Sequence, residues 1–373
     1  MIQLLKGNNL ETLKTIQDNS IDPFATDSPY GLKFMGKKWD YDVPSIELWK
    51  ECFRVLKHGG HLLSFGGTRT YHRLVVNIED AGFEIRDCIQ WLYGSGFPKS
   101  HNIKEGDFKG WGTALKPANE PICVARKPLE KGLKVAQNVL KYGTGAINID
   151  ASRIGTDSTK RPLGKSMSGV HIGSQERNER PSMDKVGGSD CGRWPANIIL
   201  DEVAAELLDE HVKGRMPAPA GNKNKTRIGH GSNIKFNSSI EDVEASRFQL
   251  GGDPQTASRF FYVAKASKSE RNKGLEGMPL VESGIKNDSG RGFSESDPHK
   301  KILNQNFHPT VKPTKLMQYL IKLVTPPNGT VLDPFMGSGS TGVAAKELGF
   351  SFVGCELSPE YFEIAQKRIE GIK

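Results

Sequence analysis

Cysteine is scarce in this 373-residue chain. The five residues Cys52, Cys88, Cys123, Cys191 and Cys355 are scattered, with no Cys-x-x-Cys pair. An odd, dispersed set argues against a disulfide framework and a zinc knuckle, so no metal site is read and a reducing, cytoplasmic setting is expected. Long apolar runs are also missing. No stretch of about 18 apolar residues occurs, which predicts no membrane-spanning helix. The opening Met1–Gly7 segment is too short in apolar residues for a signal peptide. Hydrophobic residues make up only 36%, because Gly 41 and Pro 21 commit much of the chain to loops. Acidic residues are outnumbered 43 to 51 by Lys and Arg. The net charge of +8 is a mild bias toward polyanionic partners.

What is present alternates at both ends. Ile21–Ala25, His61–Phe65 and Phe83–Leu92 read as strands, with an amphipathic helix over residues 45–57 and another beginning near Arg69. Near the C-terminus, Pro313–Val324, Thr341–Leu348 and a segment capped by Ser358-Pro359 read as helices. Thr330–Leu332 and Phe350–Cys355 read as strands between them. Strands alternating with helices predict an α/β fold, an open and mostly parallel sheet covered on both faces. The middle is different. Residues 126–165 hold nine Lys and Arg against three acids, and residues 211–235 hold six and none. Structured islands are expected only at Arg193–Leu200, at a helix over 201–212, and at Ser258–Val263.

Two clusters carry chemistry. Asp333-Pro334-Phe335-Met336-Gly337-Ser338-Gly339 follows a strand and opens a helix, where paired glycines let backbone approach a ligand closely. It lacks the third glycine of a dinucleotide fingerprint, and no phosphate-binding lysine follows. The next strand ends at Glu356, placed to accept hydrogen bonds from ribose hydroxyls, so an adenosine-type ligand fits better than NAD or ATP. Thr26-Asp27-Ser28-Pro29-Tyr30 ends another strand, although composition alone reads it as a turn.

Asp27-Ser28-Pro29-Tyr30 resembles the Asp-Pro-Pro-Tyr motif of amino-directed DNA methyltransferases. Asp333–Thr341 is similar to that family's methyl-donor motif, and His308-Pro309-Thr310-Val311-Lys312-Pro313 matches a third segment. With the catalytic motif first and the donor motif last, the order is that of the β class, a circular permutation. The opposite order would mark a protein-glutamine methyltransferase. The resemblance divides the chain into a catalytic half, 1–126, an inserted target-recognition region, 127–257, and a donor-binding half, 258–373.

The resemblance implies a fold of the S-adenosylmethionine-dependent methyltransferase type, acting on double-stranded DNA with the target base flipped out. Asp27 and the carbonyl of Ser28 would accept the two N–H bonds of the exocyclic amine, with Pro29 shaping the turn and Tyr30 stacking on the base. S-adenosylmethionine would be held by Asn8, Asp27, His308, Thr310, Lys312, Asp333, Phe335, Gly337, Ser338, Gly339 and Glu356. His308, Thr310 and Lys312 would close over its methionine end. Ser28 stands where the family has proline, and Asn8 where it has aspartate. Lys33, Lys37 and Lys38 form a basic loop beside the target pocket, and Lys213, Arg215, Lys223, Lys225 and Arg227 would contact phosphates. Trp91 reads as core packing, and Glu120, within Lys116–Pro121, reads as structural. The target expected is adenine N6. The alternatives are cytosine N4 and an inactive DNA-binding relative, with RNA a weaker substrate choice. A bacterial or phage source is expected, while a homodimer and a cognate restriction endonuclease encoded elsewhere stay open.

Overall fold

The structure, a computed structural model, describes residues 1–33, 36–96, 100–155, 192–212, 257–264, 269–282 and 303–372. The chain opens with β1 (Ile2–Lys6), α1 (Asn9–Leu13), β2 (Phe24–Thr26), α2 (Ile46–Val55), β3 (His61–Phe65) and α3 (Tyr71–Asp80). It continues through β4 (Glu84–Leu92), β5 (Asn119–Arg126), α4 (Val135–Tyr142), β6 (Ile198–Asp201), α5 (Glu202–Val212) and β7 (Tyr262–Ala264). A short pair, β8 (Val281–Glu282) and β9 (Leu303–Asn304), precedes α6 (Thr314–Val324), β10 (Thr330–Asp333), α7 (Ser340–Glu347), β11 (Ser351–Glu356) and α8 (Pro359–Glu370).

One sheet runs in the order β1-β11-β10-β2-β3-β5-β4-β6-β7. Every pairing is parallel except those of β5, which is antiparallel to both β3 and β4. The expected parallel sheet is therefore mixed at that position, because β4 returns to β5 through a loop and not through a crossover helix. The strand β2 also starts later than its apolar run, Ile21–Ala25, suggests. Pro23 has no N–H to give a ladder, so Ile21 makes only an isolated bridge to Leu56 and pairing begins at Phe24. The strand β6 and the helix α5 lie within residues 127–257, and β6 extends the sheet beside β4.

Successive residues of a strand face opposite layers, and the central strands are buried on both. Ala25, Leu63, Phe65, Val124 and Val331 pack with Leu316 and Leu320 of α6, Val343 of α7 and Ile369 of α8. Phe24, Leu62, Cys123, Ala125 and Leu332 pack on the other side with Leu13, Trp49, Cys52, Leu74 and Ile78 of α1, α2 and α3. Ser45 and Ser358 cap α2 and α8 with their hydroxyls, which sets where those helices begin. Among the described residues, no helix is long and apolar enough to cross a membrane, and no three His, Cys, Asp or Glu side chains cluster as metal ligands.

The first and last thirds of the chain interleave at the sheet centre. Leu332 of β10 registers with Phe24 of β2, so the carboxyl ends of both strands open on one rim. Asp27 and Asp333 follow from that register.

Candidate active site

Asp333 joins the two halves. Its carboxylate accepts from Thr26 Oγ1 at 2.6 Å, Thr341 Oγ1 at 2.6 Å and Phe335 N at 3.0 Å. Burial pushes its carboxyl up to about 6, against the pull of those three donors. Beyond it the chain turns through Gly337 and Gly339, both left-handed at φ +53° and +81°. The two glycines answer to different neighbours. A Cβ on Gly337 would sit 2.9 Å from His308 Nε2, and one on Gly339 3.0 Å from Ala365 Cβ in α8. Gly339 thus closes a helix contact and is not on the cavity wall. Buried Arg368 holds the turn from behind, donating to Ser338 O and to Ser338 Oγ at 3.1 Å.

Glu356, at the end of β11, accepts from Gly337 N at 2.8 Å and Ser358 N at 2.7 Å. Burial, with some help from the Asp333 charge, raises it to about 7. Asn8 uses Oδ1 to cap α1 at Leu10 N, 2.9 Å away, while Asn9 Nδ2 donates to Pro334 O at 3.1 Å. These residues enclose a cavity of about 690 Å³, a size typical of small-ligand sites. Its wall takes in the sequence candidates Asn8, Asp27, Pro29, His308, Thr310, Lys312, Asp333, Phe335, Gly337, Ser338 and Glu356.

The wall also holds residues that the motifs did not single out for the donor. Trp39 stacks against His308 with ring centroids 6.4 Å apart, and Tyr361 meets the same imidazole edge-on at 4.4 Å. Burial pushes the His308 imidazole down to about 4, so it is neutral at physiological pH. Its Nδ1 lies 2.9 Å from the carbonyl of Thr310, a contact in which only the Nδ1-protonated ring can donate. Only their aromatic character marks Trp39 and Tyr361 in the sequence, and many core residues share it.

The catalytic candidates form a tight cluster. Lys312 Nζ lies 2.7 Å from Asp27 Oδ1, 3.2 Å from Glu120 Oε2 and 3.2 Å from the Tyr30 hydroxyl. That hydroxyl is also 2.9 Å from Asp27 Oδ1 and 3.0 Å from Glu120 Oε2. Lys312, placed over the donor in the sequence reading, is therefore a bridge between carboxylates as well as part of the cavity wall. Burial pushes its ammonium down, but Asp27 and Glu120 more than offset this and its pKa is raised. Asp27 Oδ2 carries no hydrogen bond among the described residues. Ser28 lies two residues past the last pairing position of β2, which keeps its carbonyl clear of the ladder, and its hydroxyl donates to Phe65 O at 3.0 Å.

Behind Tyr30, the buried Asp40 carboxylate accepts from three successive backbone N–H groups, Tyr30, Gly31 and Leu32, at 2.7, 3.0 and 3.2 Å. This anchor holds the backbone from Tyr30 to Leu32, just ahead of Lys33. Lys33 reaches over the Tyr41 ring at 5.4 Å, and Lys37 is exposed. The side chain of Lys38, and all of Lys213, Arg215, Lys223, Lys225 and Arg227, lie outside the described residues. Trp91 packs edge-on against Phe65 at 6.3 Å.

A family model described as DNA methylase, N6_N4_Mtase, matches residues 21–367. The chain belongs to this DNA methylase family. The family's members act on N6 of adenine or N4 of cytosine, with S-adenosylmethionine as methyl donor. Among curated relatives, Type II methyltransferase M.HindIII of Haemophilus influenzae is 23% identical over 337 residues, covering 87% of this chain and 68% of that protein. Type II methyltransferase M2.DpnII of Streptococcus pneumoniae is 49% identical over 63 residues, but these span only 17% of this chain and 24% of that one. Solved structures to which the chain is similar include M1.HpyAVI bound to S-adenosylmethionine, at 16% identity, TM-score 0.40 and coverage of 99% and 100%. PvuII DNA methyltransferase, cytosine-N4-specific, aligns at 14% identity, TM-score 0.47 and coverage of 98% and 85%.

Proposed function

We propose that this DNA methylase transfers a methyl group to the exocyclic N6 of adenine in duplex DNA, at a specific sequence, with the base flipped into the site. The observation that supports it is the pair of acceptors at the end of β2. Asp27 lines the donor cavity, and its Oδ2 and the carbonyl of the adjoining Ser28 accept no side-chain bond among the described residues, which leaves two acceptors for the two N–H donors of one amine.

The cavity fits the donor. Glu356 at a strand end suits ribose hydroxyls, Gly337 lets the backbone approach, and Phe335, Trp39 and Tyr361 supply apolar walls. When bound, S-adenosylmethionine supplies an electrophilic methyl group. The rest falls to the chain's own residues. Asp27 and Ser28 orient the amine and stabilise the positive charge that grows on nitrogen. Neutral His308, stacked on Trp39 and met edge-on by Tyr361, closes the far side without adding a cation. Asp at the first motif position favours adenine, since β-class cytosine-N4 enzymes more often carry Ser there. We assign DNA contact to Lys33, Lys37 and Lys38 beside the target pocket, and to the basic segment 213–227.

The test is methyl transfer from labelled donor to duplex DNA, followed by digestion to nucleosides. N6-methyladenine is the expected product. N4-methylcytosine would overturn the choice of base, and no labelled nucleoside would overturn the activity.

A further inference from the structure

Glu120 belongs to none of the three motifs, yet its carboxylate completes the cluster around Asp27. It is the second residue of β5, opposite Trp91 on β4, and the antiparallel turn of that strand delivers it to the rim where β2 ends. Two carboxylates there face the one ammonium of Lys312, whose side chain is 8% exposed, so the formal charges of the cluster sum to one negative. The Tyr30 phenol has one proton to share between Asp27 Oδ1 and Glu120 Oε2, at nearly equal distances.

We infer that Glu120 is a positioning residue for methyl transfer: by sharing Lys312 and the Tyr30 hydroxyl, it keeps Asp27 negatively charged in effect and open to the target amine. The inference rests on the proposed activity at this site. Without Glu120, the ammonium 2.7 Å from Asp27 would form a closed, neutral ion pair. Such a pair does little for a positive charge developing on the amine nitrogen, whereas a net negative cluster stabilises it.

The transfer itself balances simply. The nitrogen lone pair forms the new N–C bond while the methyl carbon–sulfur bond breaks, its electron pair remaining on sulfur. The sulfonium charge is thereby lost and nitrogen becomes positive. One N–H proton then leaves through Asp27 Oδ2 to water, and the product amine is neutral. Glu120 touches no reacting atom in this scheme. It acts by setting a second negative charge against Lys312, so that the ammonium already 2.7 Å from Asp27 Oδ1 does not neutralise the cluster.

The test is E120Q, which keeps the shape and removes the charge. At saturating donor and DNA, kcat should fall at least about tenfold, with KM for DNA and donor affinity within about threefold of wild type. In a K312Q background the same substitution should cost less than about threefold, because no ammonium is left to neutralise Asp27. E120D should recover part of the loss. A wild-type kcat in E120Q would overturn the inference, as would an equal loss with and without Lys312. Loss of donor binding in E120Q would show a structural residue and overturn it as well. A wild-type protein that transfers no methyl group would sink the proposed activity itself, whereas an active wild type with an unaffected E120Q sinks only this role.

Discussion

Lys312 and Asp27 come from opposite ends of the chain and meet with Nζ 2.7 Å from Oδ1. The loop before α6 carries one partner and the exit of β2 the other. The parallel packing of β10 against β2 draws the two regions together. Because the ammonium is buried, the pair is weakly screened and its geometry holds before any ligand enters. Burial favours neutral lysine, but the two carboxylates prevail and the ammonium keeps its proton.

The clearest consequence concerns Asp27. D27A should lower kcat by roughly 10²–10³, the usual scale for losing one group aimed at developing charge. Donor affinity should stay within a few fold, since Glu356, Gly337 and the aromatic walls are untouched. Single-turnover kinetics with labelled donor measures the first, and calorimetry the second. A variant that keeps even a tenth of wild-type turnover would remove Asp27 from the mechanism.

Glu356 makes a prediction with a pH signature. E356Q should weaken donor binding by roughly 1.5–3 kcal/mol where the carboxylate is charged, and by less below neutrality. Stability should respond too. The folded carboxyl titrates near 7 and an exposed one at 4.5, so between these values the folded protein holds the extra proton. Its contribution to stability is complete below the lower value and is lost as pH rises through the higher one. The difference in Tm between wild type and E356Q, followed from about pH 5 to about pH 8, should therefore shrink or reverse in favour of the variant. A pH-independent difference would show that burial does not raise this carboxyl.

The two left-handed glycines should separate function from stability. Both G337A and G339A pay roughly 1–2 kcal/mol for a side chain in that conformation. G337A also drives a methyl group to within 2.9 Å of His308 Nε2, on the cavity side, so donor affinity should drop. G339A pushes instead on Ala365 of α8, so its effect should appear in Tm while donor affinity changes little in the fraction that is folded. Equal losses of affinity in both would mean the whole turn responds as one unit.

For the basic middle segment, neutralising Lys213, Arg215, Lys223, Lys225 and Arg227 together should flatten the salt dependence of DNA binding. Each phosphate contact contributes about 0.9 to the slope of log affinity against log salt, so five contacts amount to roughly four to five units. Donor affinity should not move. An unchanged slope would take these five residues out of the DNA interface.

Local chemistry made much of this protein legible in its amino-acid order. The glycine turn after Leu332, the acid at the end of the next strand and the Asp27–Tyr30 run are contiguous signals, and the helices α2, α6 and α8 follow from spacing and caps. Even the late start of β2 follows from Pro23, by a rule that needs no neighbours. Tertiary structure alone decided the rest. The antiparallel course of β5, the reach of Glu120 and Lys312 to one point, the Asp40 anchor and the placing of Trp39 and Tyr361 about His308 have no local signature. The reason is that periodicity reports which face of a strand or helix a side chain occupies. Which strand lies beside which is set by contacts between distant segments, and the charge balance around Asp27 exists only once β2, β5 and the approach to α6 have met.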